Sequence, residues 1–188
     1  MTFFEYLSVA VSIVLSLSAA QLLTSMRVVF RRDQRYWVHA LWFVHILIVH
    51  ILVWWASWAY REVETWNLAL FTLLLVNPGI LFVCSNALVQ RDEPTSWEQH
   101  FFAVRRSFFL MRGLITIVTN LRVWLFLGLP ILDARGVLSL LVLIICAVGI
   151  FSEDKRVHGT LAVIGLAQVL GVGYLWSQPG VLTLDTSP

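Results

Sequence analysis

"YWVHALWFVHILIVHILVWWASWAY", Tyr36 to Tyr60, contains no Asp, Glu or Lys and no Arg. A helix needs about 20 apolar residues, each rising about 1.5 Å, to cross the ~30 Å hydrocarbon core of a bilayer. The stretch is long enough to do so. It is too long for a strand, and a membrane barrel would show ~10-residue alternating segments instead. Within it stand His39, His45 and His50, three imidazoles in a segment otherwise built for lipid.

The rest of the chain repeats this pattern. Of 188 residues, 59% are apolar and 13% charged, against about 45–50% and about 25% in ordinary soluble domains. Apolar runs cover Phe3 to Phe30, Trp66 to Val89, Ser107 to Pro130, Ala134 to Phe151 and His158 to Trp176. Lipid offers no partner to backbone N–H and C=O groups, so each run closes its own hydrogen bonds as a helix. The expectation is an all-α polytopic membrane protein, a bundle of six transmembrane helices in one domain over residues 1–176. A short polar tail over 177–188 follows. Asn77-Pro78 predicts a kink in the third helix, because proline removes one helical hydrogen bond. The first run is not read as a signal peptide, since it lacks a basic n-region and its apolar part is too long.

Orientation follows from Lys and Arg in short loops. The first, third and fifth loops carry nine basic residues: Arg27, Arg31, Arg32, Arg35, Arg91, Arg105, Arg106, Lys155 and Arg156. The second and fourth carry two, Arg61 and Arg135. The odd loops are thereby cytoplasmic and both termini lie on the other, periplasmic side. On that map Trp54, Trp55, Trp58, Trp66, Trp124 and Trp176 fall near the outer surface, where amphipathic rings favour the headgroup level.

"FFEYLSVAVSIVLSLSAAQLLTSMRVVF" followed by "YWVHALWFVHILIVHILVWWA" resembles a group of small multi-span bacterial inner-membrane proteins. The resemblance covers the first two helices. It implies a bacterial inner membrane and carries no activity and no site residues.

Polar residues inside spans are the natural place to look for function. Glu5, His45, His50, Asn77, Arg112, Arg122 and Gln168 are the intramembrane candidates. On a helical wheel His39 and His50 lie about 20° apart and His45 about 120–140° from both. The three imidazoles therefore do not form one cluster, and the simplest expectation is that they tie the second helix to polar partners. A haem would need a second axial ligand from another span. His39 with His158, near the cytoplasmic surface, is the one conceivable pair. Zinc would need three or four ligands, and no metal site or resident cofactor is predicted. Cys84 and Cys146 sit inside apolar runs and have no metal-site spacing. Glu5 is the only acid inside a span, and its depth suits an ion pair with Arg122.

Ser8, Ser12, Ser16 and Ala20 recur every four residues on the first helix. Small residues at that spacing let helices approach closely in lipid. Gly165 and Ala167-xxx-Gly171 on the sixth helix are the expected counterpart. The same stripe offers a seam for a homo-oligomer or a larger membrane complex. Ser139 is expected to face lipid.

No phosphate-cradling glycine loop, nucleophile elbow or His-Glu-xx-His motif is present. The short basic loops suit anionic lipid headgroups rather than nucleic acid. Three function classes stay open: a small channel or transporter, a structural or sensory subunit of a membrane assembly, and a redox or lipid-modifying enzyme.

Overall fold

The computed structural model describes residues 3–31, 35–63, 65–89, 96–130 and 134–177. Across these residues six α-helices carry the fold: α1 Phe3–Val29, α2 Trp37–Ala56, α3 Leu68–Leu88, α4 Trp97–Leu127, α5 Ala134–Phe151 and α6 Lys155–Trp176. A 3₁₀ segment, Ser57–Glu62, extends α2. No strand occurs among the described residues. Five of the helices are long and apolar enough to cross a membrane, and α5 is a shorter apolar helix. Of the tail, only Ser177 falls within the described residues.

The helices close a ring. In order round it α1 packs on α3, α3 on α4, α4 on α5, α5 on α6, α6 on α2 and α2 back on α1. Helix α2 also touches α3 and α4, which draws it inward as the hub. Its core face is Val38, His39, Trp42, Phe43, His45, Ile46, Val49 and His50. The outer surface is apolar as well. Val9, Ile13, Leu17, Ile51, Leu140, Ile144, Val163 and Leu170 are all exposed, which is the inverse of a water-solvated surface.

Local chemistry sets the helix ends. Asn67 accepts from the Leu70 N–H at 2.9 Å and Asp154 from the Arg156 N–H at 2.7 Å, each capping a helix start. Helix α4 begins at Trp97, ten residues before the start expected from hydropathy, with Ser96 at its N-cap. The early turns are held by packing, since Trp97, Phe101 and Arg105 are buried there. It ends at Gly128, whose φ of 63° is the left-handed conformation that glycine adopts without penalty. At 31 residues, α4 is about 46 Å long, more than a hydrocarbon core requires. Helix α3 runs unbroken through Pro78.

Three glycines receive aromatic rings. A Cβ on Gly149 of α5 would lie 2.6 Å from the Phe109 ring of α4. On α6, Gly159 and Gly165 would meet Trp37 at 2.9 Å and Trp42 at 2.7 Å, both from α2. Gly165 thus makes a close contact with α2, not with α1. Gly171 has nothing within 4 Å and is exposed, as is Ala167.

The serine stripe of α1 also points elsewhere than expected. The face of α1 turned to the bundle is Leu7, Val11, Leu15, Ser18 and Leu22. Those spacings follow the helical period, whereas a four-residue step drifts about 40° each time. Ser8 and Ser12 are half-buried at the edge of the face, and Ser16 and Ala20 have rotated into the open. Ser8, Ser12 and Ser16 line a shallow outward groove with Val9, Ile13 and Leu17.

Candidate functional site

Helix α4 carries two deeply buried arginines, Arg112 and Arg122. Arg112 stands midway along it and is 7% exposed. Its Nε–H donates to His45 Nε2 at 3.1 Å and its Nη1 to Thr116 Oγ1 at 2.7 Å. His45 Nδ1 lies 3.1 Å from the Gly165 carbonyl. A carbonyl can only accept, so Nδ1 carries the hydrogen and Nε2 presents a lone pair to Arg112. His45 is therefore neutral and bridges α6 to α4. Cys84 of α3 and Cys146 of α5 lie within electrostatic reach of Arg112. The Cys84 thiol faces the Phe108 carbonyl at 3.9 Å.

Ten residues further along α4, Arg122 is 4% exposed. Its guanidinium carbon sits 4.8 Å from the centre of the Tyr60 ring, a cation–π contact. With the Asn77 amide assigned in the orientation that satisfies both of its ends, its oxygen accepts from Arg122 Nη1 at 3.1 Å and its NH₂ donates to the Ile115 carbonyl at 3.2 Å. Arg122 Nε is buried without a partner. Between the two arginines, Asn120 donates to Ser139 Oγ of α5 at 2.9 Å. Ser139 thus belongs to the α4–α5 interface and not to a lipid-facing surface.

Among the described residues no carboxylate pairs with Arg112 or Arg122. The expected partner of Arg122, Glu5, lies on an exposed position of α1. Phe4 touches Trp58 at 6.0 Å, so Glu5 shares the end of the bundle that holds Tyr60. However, α1 packs on α3 and α2 rather than on α4. The depth matched and the side of the bundle did not.

The other histidines of α2 reach different helices. His50 Nδ1–H donates to the Ile46 carbonyl at 2.7 Å, which leaves Nε2 to accept from Ser18 Oγ of α1 at 2.7 Å. Ser18 in turn lies 3.0 Å from Ser85 Oγ of α3. His39 Nε2–H donates to the Leu88 carbonyl at 3.0 Å, in the last turn of α3. His100 Nε2–H does the same for Ala87 at 3.2 Å. At the end of α5, His158 Nε2–H and Arg105 Nε–H both donate to the Ser152 carbonyl, at 3.1 and 3.2 Å. These are side-chain caps on orphan carbonyls at helix C-termini. Arg105 also pairs with Glu153 and Lys155 with Glu98. At the same end, burial and then the Glu98 carboxylate push the Tyr36 phenol up to about 12.

His39 and His158, the pair considered for a haem, each bond a different backbone carbonyl, Leu88 and Ser152. His39 stacks on Trp97 at 4.8 Å and His158 on Phe109 at 5.7 Å, and the Phe101 ring makes edge contacts with both. No group of three or more His, Cys, Asp and Glu among the described residues could hold a metal ion. Gln168 is half-buried on α6, with its amide oxygen unpartnered.

Sequence reasoning singled out His45, His50, Asn77, Arg112 and Arg122, and the structure gathers them into three clusters. It passed over Ser18, Tyr60, Thr116 and the glycines at 149 and 159. Ser18 was findable, since it falls in phase with Leu7, Val11 and Leu15. The remainder depend on which helices become neighbours. No family model matches this chain, and no curated protein or solved structure is significantly similar to it.

Proposed function

We propose that this chain is a six-span integral membrane protein that passes small anions along the polar seam of α4. Its setting on this reading is a bacterial inner membrane, with the odd loops cytoplasmic and both termini periplasmic. The apolar helices, the nine-to-two distribution of basic residues and the outer tryptophans support that placement.

One observation carries the transport reading. Two buried guanidiniums lie on one helix with no carboxylate paired to either among the described residues. A charged side chain in mid-membrane costs about 2.5–3.5 kcal/mol on insertion scales and normally has an opposite charge or water nearby. Dipoles supply part of the compensation here, from His45, Thr116, Asn77 and the Tyr60 ring. None of these cancels the net positive charge. A mobile anion does. Arg122 near one end and Arg112 midway form two successive stations separated by about 15 Å along the helix.

The test is flux in liposomes reconstituted with the full chain, offered chloride, nitrate and formate. Flux above empty liposomes for at least one of them is expected, with both Arg112→Met and Arg122→Met reducing it about tenfold or more. Flux indistinguishable from empty liposomes for all three would overturn the reading.

A second reading, a subunit of a larger membrane assembly, rests on the outward groove of Ser8, Ser12 and Ser16. Purification from the native membrane with a stoichiometric partner, and no flux without it, would favour that reading.

A further inference from the structure

We propose that Arg112 and His45 form a single site that binds a small inorganic anion together with a proton, so that the chain is an anion–proton symporter. This rests on the anion reading above and adds the coupling. Its basis is the assignment of hydrogens across three helices. His45 gives its one N–H to the Gly165 carbonyl of α6, so its only lone pair receives the Arg112 Nε–H. Every polar atom of the ring is used, and only the neutral form fits.

A proton arriving at His45 Nε2 turns that acceptor into a donor. Two N–H groups, one on a guanidinium and one on an imidazolium, then face each other across 3.1 Å. The Arg112–His45 bond cannot persist in that state. Both donors need an acceptor with negative charge, and an anion seated between them satisfies both. No hydrogen bond to a described residue engages Arg112 Nη2, which leaves a further donor for the same ligand. With His45 neutral, the Arg112 Nε–H is held by the imidazole and Nε2 carries no hydrogen, so the anion has two fewer donors. Proton and anion therefore favour each other's binding, and linkage makes that effect reciprocal.

Among the described residues, no further charged group acts on the Arg112–His45 pair. Helix α4 contributes Arg112 itself. Helices α3 and α5 contribute the thiols of Cys84 and Cys146, and the Cys84 thiol faces a backbone carbonyl. Helix α6 contributes the Gly165 carbonyl, and α2 contributes the Trp42 ring, 5.0 Å from His45. Thr116 is a neutral hydroxyl that spans Arg112 Nη1 and the Arg112 carbonyl. His45 is thus the titratable group hydrogen-bonded to the guanidinium.

Glutamine at position 45 reproduces the neutral state, since its NH₂ can donate to Gly165 and its oxygen can accept from Arg112, but it cannot take a proton. The experiment uses the full chain, wild type and His45→Gln, with chloride as the probe. In liposomes with the membrane potential held at zero, an inward chloride gradient should acidify the lumen of wild-type vesicles. Chloride flux should rise as the pH falls, by about tenfold or more from about pH 8 to about pH 5, because each anion carries a proton with it. His45→Gln should show no proton movement and a flux at either pH no higher than wild type at about pH 8. In weakly buffered detergent solution, adding chloride should draw about one proton per chain into wild type and none into His45→Gln. Chloride-linked proton uptake without flux would overturn the transport reading and uphold the site. Flux with no proton movement would overturn the site and leave the anion reading standing. Neither flux nor uptake overturns both, and equal uptake by the two chains removes His45 from the assignment.

Discussion

At the scale of single residues, the serine that matters on α1 is Ser18. It is fully buried and joins His50 to Ser85, so three helices meet at one hydroxyl. Ser16 is exposed. Interhelical hydrogen bonds in membrane proteins contribute about 0.6 kcal/mol on average and up to about 1.7. Ser18→Ala should therefore cost about 1–2 kcal/mol, because it strands the acceptor of His50 as well. Ser16→Ala should change little. Thermal unfolding of both variants in the same detergent checks this, and equal midpoints would remove Ser18 from its role. Asn77 works at the same scale. Its amide oxygen faces a guanidinium that has no carboxylate partner among the described residues. Asn77→Leu should destabilise by about 1–3 kcal/mol by leaving a buried N–H of Arg122 unmet. An Asn77→Leu chain as stable as wild type would show that the Tyr60 ring alone suffices.

At the scale of elements, helices meet by rings set into glycines. Phe109 fills the space over Gly149, and Trp42 the space over Gly165. A methyl group at either site would stand under 3 Å from a rigid ring, and neither ring can yield without moving its own neighbours. Trp42 also packs edge-on against Phe108 and Phe109, which links the two sites. Gly149→Ala and Gly165→Ala should each cost about 1–3 kcal/mol through overpacking. Gly171→Ala and Gly79→Ala meet nothing within 4 Å. Each should be neutral or stabilising by about 0.5–1 kcal/mol, since alanine is the better helix former. The four variants form one series, and no ordering by site would contradict the ring-on-glycine packing. Gly165→Ala carries a further consequence, because the same residue's carbonyl holds His45. Its effect on anion flux should exceed that of Gly149→Ala at matched stability.

At the scale of the whole molecule, the hub position of α2 explains why three imidazoles occupy a segment built for lipid. Each ties α2 to a different neighbour: His39 to α3, His45 to α4 and α6, His50 to α1. A neutral imidazole both donates and accepts, at a far lower burial cost than a fixed charge. The proposed orientation makes a prediction at this scale. Arg31→Cys and Ser177→Cys each place a thiol on an exposed position, one after α1 and one after α6. In intact bacterial cells expressing either variant, a membrane-impermeant maleimide should label Ser177→Cys at once. It should label Arg31→Cys only after permeabilisation. The reverse pattern would invert the map. Labelling of both variants in intact cells would contradict the proposal that the two positions lie on opposite sides of the membrane.

The class of the protein was legible in its residues. Long apolar runs, and helices as the only way to close backbone hydrogen bonds within each of them in lipid, determined an all-helical bundle before any coordinates. The identity of the candidate polar residues was legible for the same reason, since His45, Asn77, Arg112 and Arg122 stand out against an apolar background. Their partners were not. Depth along a helix can be counted at about 1.5 Å per residue, and by that count Glu5 suited Arg122. Which helix stands beside which is decided by the fit of large rings to glycines and of a leucine face to its groove, and that fit is nonlocal. The ring order α1–α3–α4–α5–α6–α2 put Asn77 and Tyr60 beside Arg122 and left Glu5 on another flank. It set His45 against Arg112, a contact between residues 67 positions apart. Helical period and hydropathy are properties of a segment, whereas a charge's partner is a property of the packed whole.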